Sequence, residues 1–199
     1  MDMSRHALVV YAHPVPGSYT SAIRDRVCSA LGTSGCTLDL LDLYAEGFDP
    51  CITASELAGE IRADPAIDDQ LRRISAADTL IFVHPTWWGG QPAIVKGWLD
   101  RVLCQPEART SFRHIRKLVV VSPHGSGKIR NAAQGVPGKR ITFRLLRLRC
   151  HPAARSAFIG FYGNDTAAAS DRTEFLDRVE AKIGAITSGG RRRRRHRTS

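Results

Sequence analysis

The stretch "DTLIFVHPTWWGGQPAIVKGWLDRVL", residues 78–103, decides the fold. Residues 78–84 form a short, nearly unbroken apolar run of the kind a strand needs when both its faces are covered. Pro85 ends that run, because it cannot extend a hydrogen-bond ladder. Residues 92–103 then open on Pro92 and read as a helix. Between strand and helix stand Thr86, Trp87, Trp88, Gly89 and Gly90. Tryptophans go to a core or to something flat that must be held, and glycines let a backbone come close to it.

The same alternation runs outward in both directions. "HALVVYA" (6–12) is a buried strand, and "SYTSAIRDRVCSAL" (18–31) a helix with Ile23, Val27 and Leu31 on one face and Ser18 as N-cap. "CTLDLLDL" (36–43) is the next strand. A long connection, 44–65, follows and needs a functional or packing reason. Asp64-Pro65 starts a helix that buries Ile67, Leu71 and Ile74. "KLVVVS" (117–122) and "SAFIGFYG" (156–163) are further strands. Residues 137–150 read as an amphipathic helix, with Ile141, Leu145 and Leu148 on one face and Arg140, Arg144 and Arg147 on another. Residues 170–186 close the chain as a helix capped by Ser170 or Asp171. Five strands alternating with helices predict an α/β domain over 1–188, a five-stranded parallel sheet with helices on both faces.

The chain has 199 residues and is 43% hydrophobic, enough for one sizeable core. No apolar run approaches the roughly 20 residues that span a membrane. The start reads as a first strand and not as a signal peptide. Cys28, Cys36, Cys51, Cys104 and Cys150 are odd in number and widely spaced, which fits a reducing cytoplasm and argues against a disulfide framework. The seven His do not cluster at ligand spacings, so no metal is expected.

The net charge is +10. Residues 191–199 carry six Arg and no acid; without them 23 basic side chains face 19 acidic ones. Residues 189–199 are expected to be a disordered tail, able to touch nucleic acid or acidic lipid. A second basic zone lies inside the fold: Arg109 to Asn164 holds twelve Lys/Arg and no Asp or Glu. A phosphate-bearing ligand or a plain solvated face would each explain it.

In parallel sheets of this kind ligands bind beyond the carboxyl ends of the strands. Three segments follow strand ends there. "AHPVPGSYTS" places Ser18, Tyr19 and Thr20 at a helix N-terminus, where free N–H groups and the dipole suit a phosphate; His13 could add a ring N–H. "PTWWGG" offers Pro85, Thr86, Trp87, Trp88 and Gly89 around a planar ring. "VSPHGSGK" offers Ser122, His124 and Gly125, with Lys128 adding positive character. Trp98 belongs to the core or to a subunit contact. Together the loops imply a phosphorylated planar ligand.

At these residues the chain resembles a known family. "YAHPVPGSYTSAI", "DLYAEGFDP" and "HPTWWGGQPAIVKGWLDRVL" are similar to the flavodoxin-like NAD(P)H:quinone oxidoreductases of the DT-diaphorase and modulator-of-drug-activity type. The resemblance implies a flavodoxin-like three-layer sandwich, a tightly bound flavin (FMN or FAD), NADPH or NADH as co-substrate, and a quinone-like acceptor. It implies two-electron hydride transfer in a ping-pong cycle at one flavin site, and a homodimer with Trp88 and Trp98 as candidate contacts. It assigns the flavin phosphate to His13, Ser18, Tyr19 and Thr20, and the isoalloxazine to residues 85–89. Ser122, His124 and Gly125 fall near the pyrimidine edge, where His124 is expected to donate a hydrogen bond. Relatives carry Thr-Thr-Gly-Gly after the fourth strand, and further on a Tyr and a His; this chain has "SPHGSGK" and no Tyr between Tyr44 and Tyr162. Those roles do not carry over. Arg140, Arg144 and Arg147 stand as candidates for the extra phosphate of NADPH. Two alternatives are a flavin-binding regulatory partner with little turnover, and nucleic-acid or membrane contact through the tail.

Overall fold

The computed structural model describes residues 5–58, 64–133, 135 and 141–188. The Arg-rich segment 189–199 and residues 137–140, including Arg140, lie outside them. Five strands pair in parallel: β1 (His6–Tyr11), β2 (Thr37–Asp42), β3 (Thr79–Val83), β4 (Lys117–His124) and β5 (Arg155–Tyr162). Their order is β2-β1-β3-β4-β5, so the sheet reverses direction of growth between β1 and β3. The helices are α1 (Tyr19–Thr33), α2 (Ala54–Ala58), α3 (Pro65–Ala76), α4 (Ala93–Cys104), α5 (Ala108–Ser111), α6 (Lys128–Ala133), α7 (Arg147–Arg149) and α8 (Ala169–Thr187).

The apolar strand runs are explained by two cores, one on each face. Successive side chains point to opposite sides of a strand. Leu8, Val10, Leu80, Phe82, Leu118 and Val120 therefore meet α3 and α4, while Val9, Tyr11, Ile81, Val83, Val119 and Val121 meet α1 and α8. The result is the expected three-layer sandwich. Among the described residues no helix is long and apolar enough to cross a membrane.

The Lys-Gly-Trp piece of the opening stretch is a packing device. Trp98 is fully buried, edge-on to Phe82 at 5.6 Å, and its Nε1 donates to Gln70 Oε1. It therefore belongs to the core and cannot serve as a subunit contact. Gly97 lies under Pro50: a Cβ there would stand 2.3 Å from the Pro50 carbonyl oxygen. One turn on, Arg101 bonds Glu56 Oε1 through Nε and Nη2 (3.0 and 2.6 Å), Asp49 O (2.8 Å) and Asp64 Oδ2 (3.0 Å). Burial pushes the Glu56 carboxyl up, but hydrogen bonds from Arg101 and Thr53 together outweigh it and hold it below its ordinary value. The long 44–65 connection is thus pinned along α4.

The expected amphipathic helix over 137–150 is corrected. Ile141–Leu146 is π-helical and only Arg147–Arg149 is α. The wider turn changes the phase, so extrapolating a 3.6-residue period fails. Leu146 and Cys150 face the core, while Leu145 and Leu148 are exposed. Arg147 donates to the carbonyls of His151 and Pro152 and closes this turn. At the last helix Ala168 is the N-cap, and the Asp171 carboxylate accepts its N–H at 3.1 Å.

Candidate active site

The three segments after β1, β3 and β4 gather at one end of the sheet, at its switch point. After β1, Gly17 turns the chain at φ 75° and Ser18 caps α1, its Oγ accepting from Ser21 N at 3.2 Å. The N–H groups of Tyr19 and Thr20 open the helix and have no acceptor within it. His13 Nδ1 lies 3.1 Å from Val15 N and 3.3 Å from Val15 O, which ties the ring to the loop and leaves Nε2 free of this contact. Its ring meets Trp87 edge-on at 6.0 Å, joining the first loop to the second.

The side chain of Tyr19 turns the other way. Its hydroxyl donates to Arg172 O at 2.8 Å, and its ring packs on Phe161 (5.7 Å) and Phe175 (6.4 Å). Burial pushes that hydroxyl up to about 12. Thr20 is buried. Tyr19 and Thr20 thus offer the crevice chiefly backbone. Phe161 and Phe175 also line a cavity of about 400 Å³ with Gly163, Asp171, Glu174 and Arg178. That cavity lies beside the start of α1.

After β3 the chain forms a two-residue reversal. Trp87 N–H donates to Gly90 O and Gly90 N–H to Trp87 O, both at 3.0 Å. Trp88 and Gly89 occupy its centre at φ 51° and 78°. Positive φ at both central positions is the I′ geometry that favours Asn-Gly. A tryptophan in the first of these positions is rare, and this one is fully exposed, at 104%.

After β3, Thr86 extends the pairing to His124: Thr86 N–H donates to Pro123 O at 2.9 Å. β4 accordingly runs two residues past its expected end at Ser122, and Ser122 and His124 share a face. Thr86 Oγ1 lies 2.8 Å from Ser122 Oγ and 3.4 Å from His124 Nε2. His124 Nδ1 lies 2.9 Å from Asn131 Oδ1. The Asn131 amide nitrogen faces three oxygens, Ser126 O, Ser126 Oγ and Gly127 O, at 2.8–3.0 Å. Its oxygen is therefore the atom turned to His124. The imidazole carries its proton on Nδ1 and accepts Thr86 Oγ–H at Nε2. The ring is 1% exposed and stacks on Tyr162 at 4.5 Å and 19°. Burial pulls His124 below its ordinary value, opposed by the hydrogen bond with Asn131. Both its nitrogens are engaged, so the donation expected of His124 is not available from this arrangement.

Thr86, Trp88, Gly89, His124, Gly125, Ser126, Arg130 and Asn131 enclose a cleft of about 220 Å³. Gly125 is backed by Asp165: a Cβ there would stand 2.4 Å from its Oδ2. His84, on the same strand end, is buried, with Nδ1 donating to Pro85 O at 2.9 Å and Nε2 without a partner among the described residues. Burial pushes it down to about 4.

Asn131, Tyr162, Asp165 and Arg130 were not legible as site residues. Tyr162 reaches His124 because the two are partners in the β4–β5 register, which only strand pairing reveals. Asn131 reaches it because a turn and a short helix fold back over the strand end.

A parallel sheet in this order, with its loops so disposed, agrees with a comparison of the sequence. Residues 5–180 match the family described as the flavodoxin-like fold. The chain belongs to that family. Among relatives, the flavodoxin-like chain is 32% identical over 120 residues to ribosyldihydronicotinamide dehydrogenase [quinone] of Homo sapiens, covering 51% of this chain and 52% of that one. It is 32% identical over 161 residues to NAD(P)H dehydrogenase [quinone] 1 of Rattus norvegicus, covering 67% and 58%. The chain spans about half the length of the curated relatives it matches. In structure it superposes on the NAD(P)H:quinone oxidoreductase from Methanothermobacter marburgensis with a TM-score of 0.77 at 23% identity, covering 92% and 97%.

Proposed function

We propose that this flavodoxin-like chain is a flavin-dependent NAD(P)H:quinone oxidoreductase. The observation that carries the reading is Trp88: a fully exposed indole held at positive φ on the mouth of a polar cleft. Exposure and an unfavourable backbone both cost stability, and such costs persist where a ligand repays them. The named relatives support the chemistry.

The residues suit the group. The first N–H groups of α1, the Ser18 and Thr20 segment and the His13 ring fit its phosphate. Pro85 to Gly89 fit its ring, and Ser122 and Gly125 its polar edge. When bound, the flavin supplies the hydride acceptor and donor. Trp88 covers the ring and excludes water. Thr86, its hydroxyl proton given to His124, presents lone pairs to the cleft and accepts from a ring N–H. His124 acts as a positioning residue that sets the direction of this hydrogen bond. Reduced nicotinamide and the quinone-like acceptor take the same cleft in turn, which is the ping-pong order. The 400 Å³ cavity beside Tyr19, with Asp171, Glu174 and Arg178 on its walls, gives room for an adenosine and favours FAD over FMN. A homodimer that pairs across the Trp88 rim completes the reading.

The test is the visible spectrum of the purified protein, with the released chromophore identified by mass. A flavin spectrum bleached anaerobically by NADH or NADPH is the expected outcome. A protein that stays colourless after reconstitution would overturn it, and a bound flavin that neither NADH nor NADPH bleaches would move the flavin-binding partner reading ahead.

A further inference from the structure

Of the second basic zone only Arg130 is among the residues that enclose the cleft. All ion pairs among the described residues draw their cation from Arg24, Arg26, Arg72, Arg73, Lys96 or Arg101. None uses a cation between residues 109 and 164. Several of those cations meet at the opposite end of the sheet from the cleft, where β4 and β5 begin. His151 N–H donates to Ile115 O at 3.1 Å and Arg155 N–H to Arg116 O at 2.9 Å, which seats the turn after α7 against the start of β4. On the approach, Leu146 and Cys150 point into the core, while Arg144, Leu145, Leu148 and Arg149 point out. Leu145 is 61% and Leu148 75% exposed. Arg116 and Arg155, at the starts of β4 and β5, are exposed as well. Of the acids near this end, Asp78 accepts the Thr79 hydroxyl at 2.5 Å and Glu107 is exposed on the connection into β4.

The chain leaves the fold at the same end. Thr187, the last residue of α8, accepts Arg5 Nη1–H at 2.7 Å immediately before β1. The sequence that follows Ser188 contains six Arg and no acid.

We infer that this end of the molecule docks on an anionic lipid bilayer, with the outward Arg side chains at phosphate level and Leu145 and Leu148 inserted between headgroups. Cations interleaved with large exposed aliphatics are the composition of an interfacial segment. A nucleic acid would engage the Arg side chains but leave both leucines in water. A second copy in a two-fold contact would set a mainly basic surface against itself. In this orientation the cleft, at the far ends of the strands, stays open to water. The inference is independent of the flavin reading, because lipid binding is measured without cofactor or turnover.

The test is co-sedimentation of the full chain with phosphatidylcholine vesicles, with or without about 30% phosphatidylglycerol, at about 0.15 M salt. The expected result is binding to anionic vesicles only, weakened about tenfold in Leu145→Asn/Leu148→Asn, a neutral change at two exposed positions. Arg144→Ser/Arg149→Ser should weaken it as well, and should reduce its salt dependence. Failure to bind anionic vesicles would overturn the inference. So would undiminished binding by the leucine variant, which would reduce the contact to charge alone; duplex DNA competing equally well would then mark a general polyanion surface. A dimer in sedimentation velocity that the leucine variant converts to monomer would reassign the face to self-association.

Discussion

His124 and Asn131 are joined through Nδ1 and Oδ1 at 2.9 Å, and this single bond sets the polarity of the cleft floor. With Nδ1–H committed, Nε2 is an acceptor, Thr86 donates to it, and Ser122 in turn can donate to Thr86. Asn131→Asp would place a carboxylate against Nδ1–H and favour the imidazolium. The expected outcome is a rise of about 1–3 units in the His124 pKa, read from its ring C–H signals in an NMR titration. The same titration of Asn131→Leu should show no such rise, and stability should fall by about 1–3 kcal/mol because the buried N–H loses its partner. An Asn131→Asp variant that titrates like the parent would remove Asn131 from the role.

Trp88 predicts a trade between stability and binding. Asn is favoured in the position that Trp88 occupies at φ 51°. Trp88→Asn should therefore raise stability by about 1 kcal/mol in a denaturant titration while weakening flavin retention on dialysis. A variant that is stabilised and retains flavin undiminished would show that the indole has no part in holding it.

His84 predicts acid sensitivity. Its ring, pushed down to about 4 by burial, donates to Pro85 O, and among the described residues Nε2 has no acceptor for the N–H that a second proton would create. An unfolded chain binds that proton near pH 6.5, so the unfolded state holds more protons between about pH 6.5 and 4. Stability is then full above this window and falls through it, by about 3 kcal/mol from this residue. His124, shifted the same way by burial, adds to the slope. His84→Asn keeps a donor for Pro85 O without a titrating group, and its unfolding free energy should vary less steeply over this window. An unchanged slope would place the acid sensitivity elsewhere.

Gly97 and Glu56 predict how the long connection is held. Gly97→Ala would force its Cβ onto the Pro50 backbone, and a loss of about 1–3 kcal/mol is expected in denaturant unfolding. Glu56→Ala leaves Arg101 buried without its main counter-charge and should cost about 3–5 kcal/mol. Limited proteolysis between residues 44 and 58 should speed up in both. Parent-like cleavage would mean that α4 does not hold this segment.

The sequence by itself determined the alternation of strands and helices, because that rests on local matters: apolar runs, prolines at helix starts, a capping serine. It also located the three strand-end segments, since a parallel sheet leaves no other crevice of that kind. What it could not supply was direction and partnership. Whether Trp88 points to solvent and Trp98 to Phe82 is decided by a turn and by a helix seated on the sheet. Tyr162 and Asn131 come to His124 from 38 and 7 residues away, through strand register and a folded-back loop. The phase slip of the π-turn that exposes Leu145 and Leu148 is not encoded in a 3.6-residue pattern. Ring orientation, tautomer and the exposure of an aliphatic face depend on what packs alongside, and tertiary structure alone makes that choice.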